Sequence, residues 1–171
     1  MNTNFKQKLQ AISCFILDVD GVLTDGSLTL LPTGEQVRKM NIRDGYAIQA
    51  AVKAGYKVAV ITGGKSISVK ERLQGLGVKD IYLGIDDKIE KFDELIAIYD
   101  LKTENILYMG DDLPDFDAMK KSGIAACPAD AAREIKEISS YISDKNGGEG
   151  CVRDVIEQVM MLHGKWHSSL R

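Results

Sequence analysis

The sequence predicts an α/β fold, a parallel sheet with helices on both faces, and three observations carry that prediction. Short apolar runs of strand length recur at 14–19, 57–61, 80–83 and 105–109. Segments with helical spacing of apolar residues alternate with them, at about 45–54, 66–76, 88–99 and 115–121. The strand-like runs are apolar throughout rather than alternating, as expected where both faces of a strand are covered. Such alternation of elements is the pattern of βαβ units, which wind into a three-layer, Rossmann-like sheet.

The first strand, Phe15-Ile16-Leu17, runs into Asp18-Val19-Asp20-Gly21, where Gly21 gives the backbone freedom for a sharp turn. Ser27–Leu31 and Glu35–Met40 flank Pro32-Thr33-Gly34, so residues 26–40 are expected as an inserted β-hairpin. Its apolar side chains, Leu28, Leu30, Val37 and Met40, would form a docking surface or pack on the domain itself. After the helix over 45–54, Val58-Ala59-Val60-Ile61 is a second buried strand ending in Thr62-Gly63-Gly64. One helix and one strand fill the interval to Lys88, which opens an amphipathic helix reaching residue 99. Asn105–Met109 is the next strand and empties into Gly110-Asp111-Asp112-Leu113-Pro114-Asp115. Gly123–Cys127, closed by Pro128, is a fifth strand, followed by a helix near 130–138 and a small sixth strand at Tyr141-Ile142. Asn146–Gly150 is a loop by composition, and 151–162 is a closing helix with Val152, Val155, Ile156, Val159 and Met160 on one face. Residues 1–171 read as one domain, with a tail from about 163.

The bulk properties exclude several functions. Hydrophobic residues make up 44% and charged ones 27%, values of an ordinary globular chain rather than a disordered one. A net charge of −3 offers no broad basic field for nucleic acid, so an anionic partner must be met by a local cluster and a cation. A small phosphorylated molecule fits that requirement. No apolar run approaches the roughly eighteen residues of a membrane span, and Met1–Ala11 is polar rather than signal-like, so a cytoplasmic location is expected. Cys14, Cys127 and Cys151 form no Cys-x-x-Cys pair, which argues against a disulfide framework and a thiolate zinc site. His163 and His167 have a spacing that suits a metal on a helix, but no third ligand stands near, and they read as a solvated tail.

The chemistry lies at the strand ends, where ligands of α/β sheets collect. Asp18 and Asp20 put two carboxylates at the first. Thr62, with the flexible amides of Gly63 and Gly64, offers phosphate-oxygen donors at the second. Lys88 supplies a point charge that offsets a phosphate. Asp111 and Asp112 close the series. Taken singly these are ordinary residues, a turn cap or a solvated lysine, but their order resembles the haloacid dehalogenase superfamily of phosphohydrolases.

More narrowly, Asp18–Gly26, the hairpin, Asn41-Ile42-Arg43-Asp44-Gly45, the Gly110-Asp111-Asp112 loop and the Gly147–Arg153 segment resemble one capless family. It is the 3-deoxy-D-manno-octulosonate 8-phosphate phosphatases, with relatives acting on nine-carbon 2-keto sugar acid phosphates. The likeness runs from about Phe5 to about His163. It implies a Mg²⁺-dependent hydrolase of a small phosphorylated sugar acid in lipopolysaccharide precursor synthesis. It also implies a homotetramer whose hairpins form a central barrel, each site being walled partly by a neighbouring subunit. One departure stands out: Gly64-Lys65 replaces the Arg that many members carry after the Thr/Ser-Gly, where a nine-carbon-acid enzyme carries Glu.

On this resemblance Asp18 is the nucleophile, forming an aspartyl-phosphate, and Asp20 the general acid and base. Mg²⁺ would be held by the carboxylates of Asp18 and Asp111 and the main-chain carbonyl of Asp20. Thr62, the Gly63 amide and Lys88 bind phosphoryl oxygens. Asp112 and Asp115 orient Lys88 or metal waters, or else cap a helix. Arg43, Arg72, Arg153 and Lys65 are the cations available for the substrate carboxylate, though any one of them reads more readily as a surface salt bridge or solvated charge. Arg153 follows a glycine-rich loop that could extend into a neighbouring site. A receiver domain is the main rival of a different class, but its acidic pair comes before the phosphorylated Asp, whereas Asp111-Asp112 comes last here. A macromolecule-directed capless phosphatase is the other.

Overall fold

The computed structural model describes residues 5–166. Helix α1 (Phe5–Ala11) precedes the strand β1 (Cys14–Leu17), after which a two-stranded hairpin, β2 (Thr29–Leu30) and β3 (Gln36–Val37), projects from the chain. Then come α2 (Ile42–Lys53), β4 (Lys57–Ile61), α3 (Ile67–Gly75), β5 (Asp80–Tyr82), α4 (Lys88–Tyr99), β6 (Ile106–Met109) and α5 (Phe116–Lys121). The chain closes with β7 (Ile124–Cys127), α6 (Arg133–Ile138), β8 (Tyr141–Ile142) and α7 (Cys151–Leu162).

The main sheet has six strands in the order β5-β4-β1-β6-β7-β8, every neighbouring pair parallel. Alternate strand residues face opposite sides. Phe15, Leu17, Val58, Val60, Leu107 and Met109 pack under α2, α3 and α7, and Cys14, Ile16, Ala59, Ile61, Ile106 and Tyr108 under α4, α5 and α6. That double burial is why these runs are apolar throughout. In register, Leu17 lies opposite Val60 and Met109, so the three central strands end together and deliver residues 18, 62 and 110 to one edge. No cap domain covers that edge among the described residues.

Helix ends follow from capping chemistry. Asn41 accepts the Arg43 N–H at 2.8 Å and so starts α2 three residues before the apolar pattern does. Asp87 accepts from Ile89 and Glu90, which places Lys88 at the first position of α4. Helix α7 is capped from a distance: buried Asp44 accepts the Arg153 N–H at 2.7 Å. Burial raises the Asp44 carboxyl, against the backbone N–H groups of Arg153, Gly150 and Val152 that lower it.

Several expectations need correction. Residues 5–11 form a helix that the sequence reading left out, because a polar seven-residue segment with only Leu9 buried carries almost no periodic signal. The hairpin exists but is short, and Leu28, Leu30 and Val37 are exposed; only Met40 packs on the core, next to an isolated bridge to Thr24. His163 is not part of a loose tail, since its Nδ1 meets the Tyr56 hydroxyl and its Nε2 lies 3.1 Å from the Gln10 carbonyl. Trp166 is also buried, whereas His167 lies outside the described residues. The three cysteines are buried free thiols, and no described helix is long and apolar enough to cross a membrane.

Candidate active site

The site starts from the turn after β1. The Asp18 N–H still donates to the Met109 carbonyl at 3.0 Å, continuing the sheet, and then the N–H groups of Val22 and Thr24 both turn back to the Val19 carbonyl. Gly21 has φ +94°, and a Cβ there would lie 2.0 Å from Asp111 Oδ2, so both conformation and space demand glycine. The Thr24 hydroxyl oxygen accepts from Gly21 and Gly26 and ties the turn together. Past this bend Asp18 and Asp20 both line one cleft of about 530 Å³ at the end of β1.

Of the sequence-predicted residues, Asp18, Asp20, Thr62, Gly63, Lys88, Asp111, Asp112 and Asp115 all line that cleft. At its floor the Lys88 ammonium sits 2.8 Å from Asp18 Oδ1 and 2.7 Å from Asp115 Oδ1, all three side chains being buried. Asp115 is held by the Tyr108 hydroxyl at 2.9 Å and by the Asp111 N–H at 3.3 Å. Tyr108 was not foreseen: in a buried strand it reads as core, and nothing in the sequence tells where its hydroxyl goes. Thr62 is fixed by backbone bonds to Tyr82 and Ile85, and its hydroxyl oxygen accepts the Gly64 N–H at 3.1 Å. Asp112 is exposed and accepts the Leu113 N–H at 2.8 Å, the cap position of a short 3₁₀ turn.

Electrostatics make this a site for a cation. One carboxylate oxygen each from Asp18, Asp111 and Asp115 lie within 4.8 Å of one another. At that separation two like charges repel by about 3 to 4 kcal/mol at an effective dielectric near 20. Burial, and next the charge of Asp115, raise the Asp18 carboxyl against the pull of Lys88. Burial raises Asp111 as well, followed by the charges of Asp18 and Asp115. Lys88 stays protonated because its two carboxylates outweigh the burial that opposes its charge. Asp111 Oδ1 is buried with no hydrogen-bond partner. Both oxygens of Asp115 already accept protein donors, so Asp18 and Asp111 are the carboxylates left for a hard, oxygen-seeking ion such as Mg²⁺.

Arg38, which the sequence reading passed over, grips Asp20: its Nε and Nη2 donate to Oδ1 and Oδ2 at 2.6 and 3.0 Å. The available signal was its place two residues before inward-packed Met40, on the same side of an extended strand. By contrast, Arg43, Arg72 and Arg153 do not line the cleft within the chain. Arg43 and Arg153 border a separate groove, where Arg153 donates to Glu157 at 2.9 Å and stacks 5.2 Å from the Trp166 ring. Arg72 lies against Gly45 of α2, where a Cβ would meet its Nη2 at 2.7 Å. Within the chain, Gly147 of the glycine-rich loop before Arg153 packs closely on the Gly21 turn, and a Cβ on Gly147 would fall 1.9 Å from the Gly21 carbonyl oxygen.

The fold and this arrangement of carboxylates, threonine and lysine at the strand ends define a haloacid dehalogenase-like hydrolase, the description of the family that matches residues 80–156. The chain is 36% identical over 165 residues to the 3-deoxy-D-manno-octulosonate 8-phosphate phosphatase KdsC of Salmonella typhi, covering 96% of this chain and 88% of that one. It is 37% identical over 158 residues to the protein of that name from Escherichia coli K12, covering 92% and 84%. Among solved structures it resembles the 3-deoxy-D-manno-octulosonate 8-phosphate phosphatase of Moraxella catarrhalis, a complex with magnesium, phosphate and KDO, with a TM-score of 0.92, 32% identity, and 96% and 95% of the two chains covered. The cobalt-bound Haemophilus influenzae enzyme matches at a TM-score of 0.89 and 33% identity, covering 93% of each chain. The chain belongs to the 3-deoxy-D-manno-octulosonate 8-phosphate phosphatase family.

Proposed function

We propose that this chain is a Mg²⁺-dependent phosphatase that hydrolyses 3-deoxy-D-manno-octulosonate 8-phosphate to the free sugar acid and phosphate, in the synthesis of lipopolysaccharide precursors. The observation that carries the reaction type is the buried Lys88 ammonium between Asp18 and Asp115, with Asp111 alongside, at the floor of the cleft. The substrate follows from the names of relatives that span nearly the whole chain.

In this reading an Asp18 oxygen attacks phosphorus in line, forming the aspartyl-phosphate as the bond to the sugar oxygen breaks. Asp20 gives its proton to that oxygen as it leaves. Asp20 then takes a proton from the water that attacks the phosphorylated Asp18, releasing phosphate and restoring the carboxylate. Thr62, the Gly63 N–H and Lys88 hold the phosphoryl oxygens while charge moves, and Asp115 with Tyr108 holds Lys88 in place. The carboxylates of Asp18 and Asp111 and the main-chain carbonyl of Asp20 would bind Mg²⁺, which when bound offsets the clustered negative charge and draws electrons from the phosphoryl group.

The open cleft needs walls, and the exposed Leu28, Leu30 and Val37 of the hairpin are the surface that would bury against other copies. We therefore infer a cytoplasmic homotetramer, with Arg43, Arg72 and Arg153 available to neighbouring subunits rather than to their own cleft. A nine-carbon 2-keto sugar acid 9-phosphate is the second reading, because Gly64 matches neither the Arg of many eight-carbon enzymes nor the Glu of a nine-carbon one. Phosphate release from a panel of phosphorylated 2-keto-3-deoxy sugar acids tests the proposal. Turnover of the eight-carbon ester with Mg²⁺, abolished by a chelator, is expected; release from none of the panel would reject it.

A further inference from the structure

Arg38 is the least explained charge in the molecule. Its side chain is 7% exposed although it comes from an otherwise exposed hairpin, and it lies against the more accessible Asp20. Nε and Nη2 bond the two Asp20 oxygens, and Nη1 bonds the Gln36 carbonyl at 3.2 Å. A guanidinium has five N–H donors, so these three bonds leave two for another acceptor. Gly64 lies beside the pair, where a Cβ would stand 3.3 Å from Arg38 Nη2 and 3.2 Å from Asp20 Oδ2 and so press on both side chains.

Beside this pair, between the hairpin and the start of α3, lies a second cavity of about 360 Å³ lined by Arg38, whose guanidinium bonds Asp20 of the cleft. Lys65, Ser66, Ser68 and Gln36 border it, and with Glu35 on its rim it holds two cations against one carboxylate. The Lys65 stem lies along Gly84, and its ammonium makes no ion pair among the described residues. A fork-shaped donor with unused N–H groups, an uncommitted ammonium and two hydroxyls together suit a carboxylate on a hydroxylated chain.

We propose that Arg38, supported by Lys65, determines specificity by receiving the acidic group at the far end of the phosphorylated substrate. The assignment rests on the phosphatase reading above and deepens it. Arg38 thereby joins two tasks, since the guanidinium that recognises the acid also fixes the Asp20 side chain.

The test compares two esters with wild type, Arg38→Gln and Arg38→Lys: the 2-keto sugar acid phosphate, and ribose 5-phosphate, which has no carboxylate. In Arg38→Gln the preference for the acid, as a ratio of kcat/KM values, is expected to fall at least tenfold, mainly through KM. Arg38→Lys, a charge without the fork, should fall between. Equal losses on both esters would show that Arg38 acts through Asp20 alone and would overturn the proposal, as would an unchanged preference. Failure of the phosphatase reading is distinct, because the wild-type protein itself would then hydrolyse neither ester.

Discussion

Replacing Lys88 by Met tests what holds the site together before substrate arrives. The ammonium is 2.8 Å from Asp18 and 2.7 Å from Asp115, and those side chains are 7% and 1% exposed, so the variant leaves two buried carboxylates without their counter-charge. Breaking a buried pair by removing one partner costs about 3–5 kcal/mol. Asp18, already raised by burial and by Asp115, relieves part of that by taking a proton. Domains carry about 5–15 kcal/mol of stability, so the variant still folds. At about 2–4 °C per kcal/mol for a chain of this size, the melting midpoint falls by about 6–20 °C without divalent cation. Calorimetry at pH 8 and pH 5.5 makes the sign visible: the deficit shrinks on acidification, where Asp18 is protonated. Adding Asp18→Asn to Lys88→Met recovers part of the loss by removing one of the two like charges. Phosphatase turnover drops by about 10²–10³, the usual loss for one donor to a reacting oxyanion. A midpoint unchanged at pH 8, or a deficit that grows on acidification, would refute the view that the ammonium compensates these carboxylates.

Two further outcomes follow from the same geometry. Asp18 and Asp111 are raised from an ordinary 3.8 to about 7 and about 8, so the stability associated with them is present below pH 3.8 and is lost as pH rises through those values. The gain in melting temperature on adding Mg²⁺ should therefore grow as pH rises through that window, and a gain independent of pH would contradict it. In Gly147→Ala the new Cβ would sit 1.9 Å from the Gly21 carbonyl oxygen and 2.9 Å from that of Thr24, both backbone atoms, so the turn bearing Asp20 must move. Overpacking costs about 1–3 kcal/mol, and a shift near 1 Å lowers kcat about a hundredfold. Gly75→Ala, with nothing within 4 Å, is the control that keeps its turnover; equal kcat values for the two variants would show that the loop does not position the turn.

The central strands were legible because burial on both faces forces uninterrupted apolar runs, and the strand-end motifs because each sits directly after such a run. Arg43, Arg72 and Arg153 show the limit of that reading: charge alone does not say which way a helix faces, and these three face other grooves or helices of the chain. Arg38 and Tyr108 were missed for the complementary reason. One folds back from a hairpin onto a residue eighteen positions earlier, and the other hides a polar tip in an apolar strand. Asp44 and Gly147 act across 109 and 126 positions, on the start of α7 and on the Gly21 turn, through backbone contacts that leave no local pattern. His163 looked like a tail because its partners, Tyr56 and Gln10, come from the far side of the sequence.

Everything proposed for the reaction turns on Asp18 carrying the phosphoryl group. Mass spectrometry of protein quenched in acid during turnover with Mg²⁺ reads this directly. A phosphoryl adduct on the peptide containing Asp18, absent from an Asp18→Asn protein that folds but no longer turns over, is the expected result. An unmodified Asp18 in the working enzyme, with the Asn variant releasing phosphate at the wild-type rate, would contradict it.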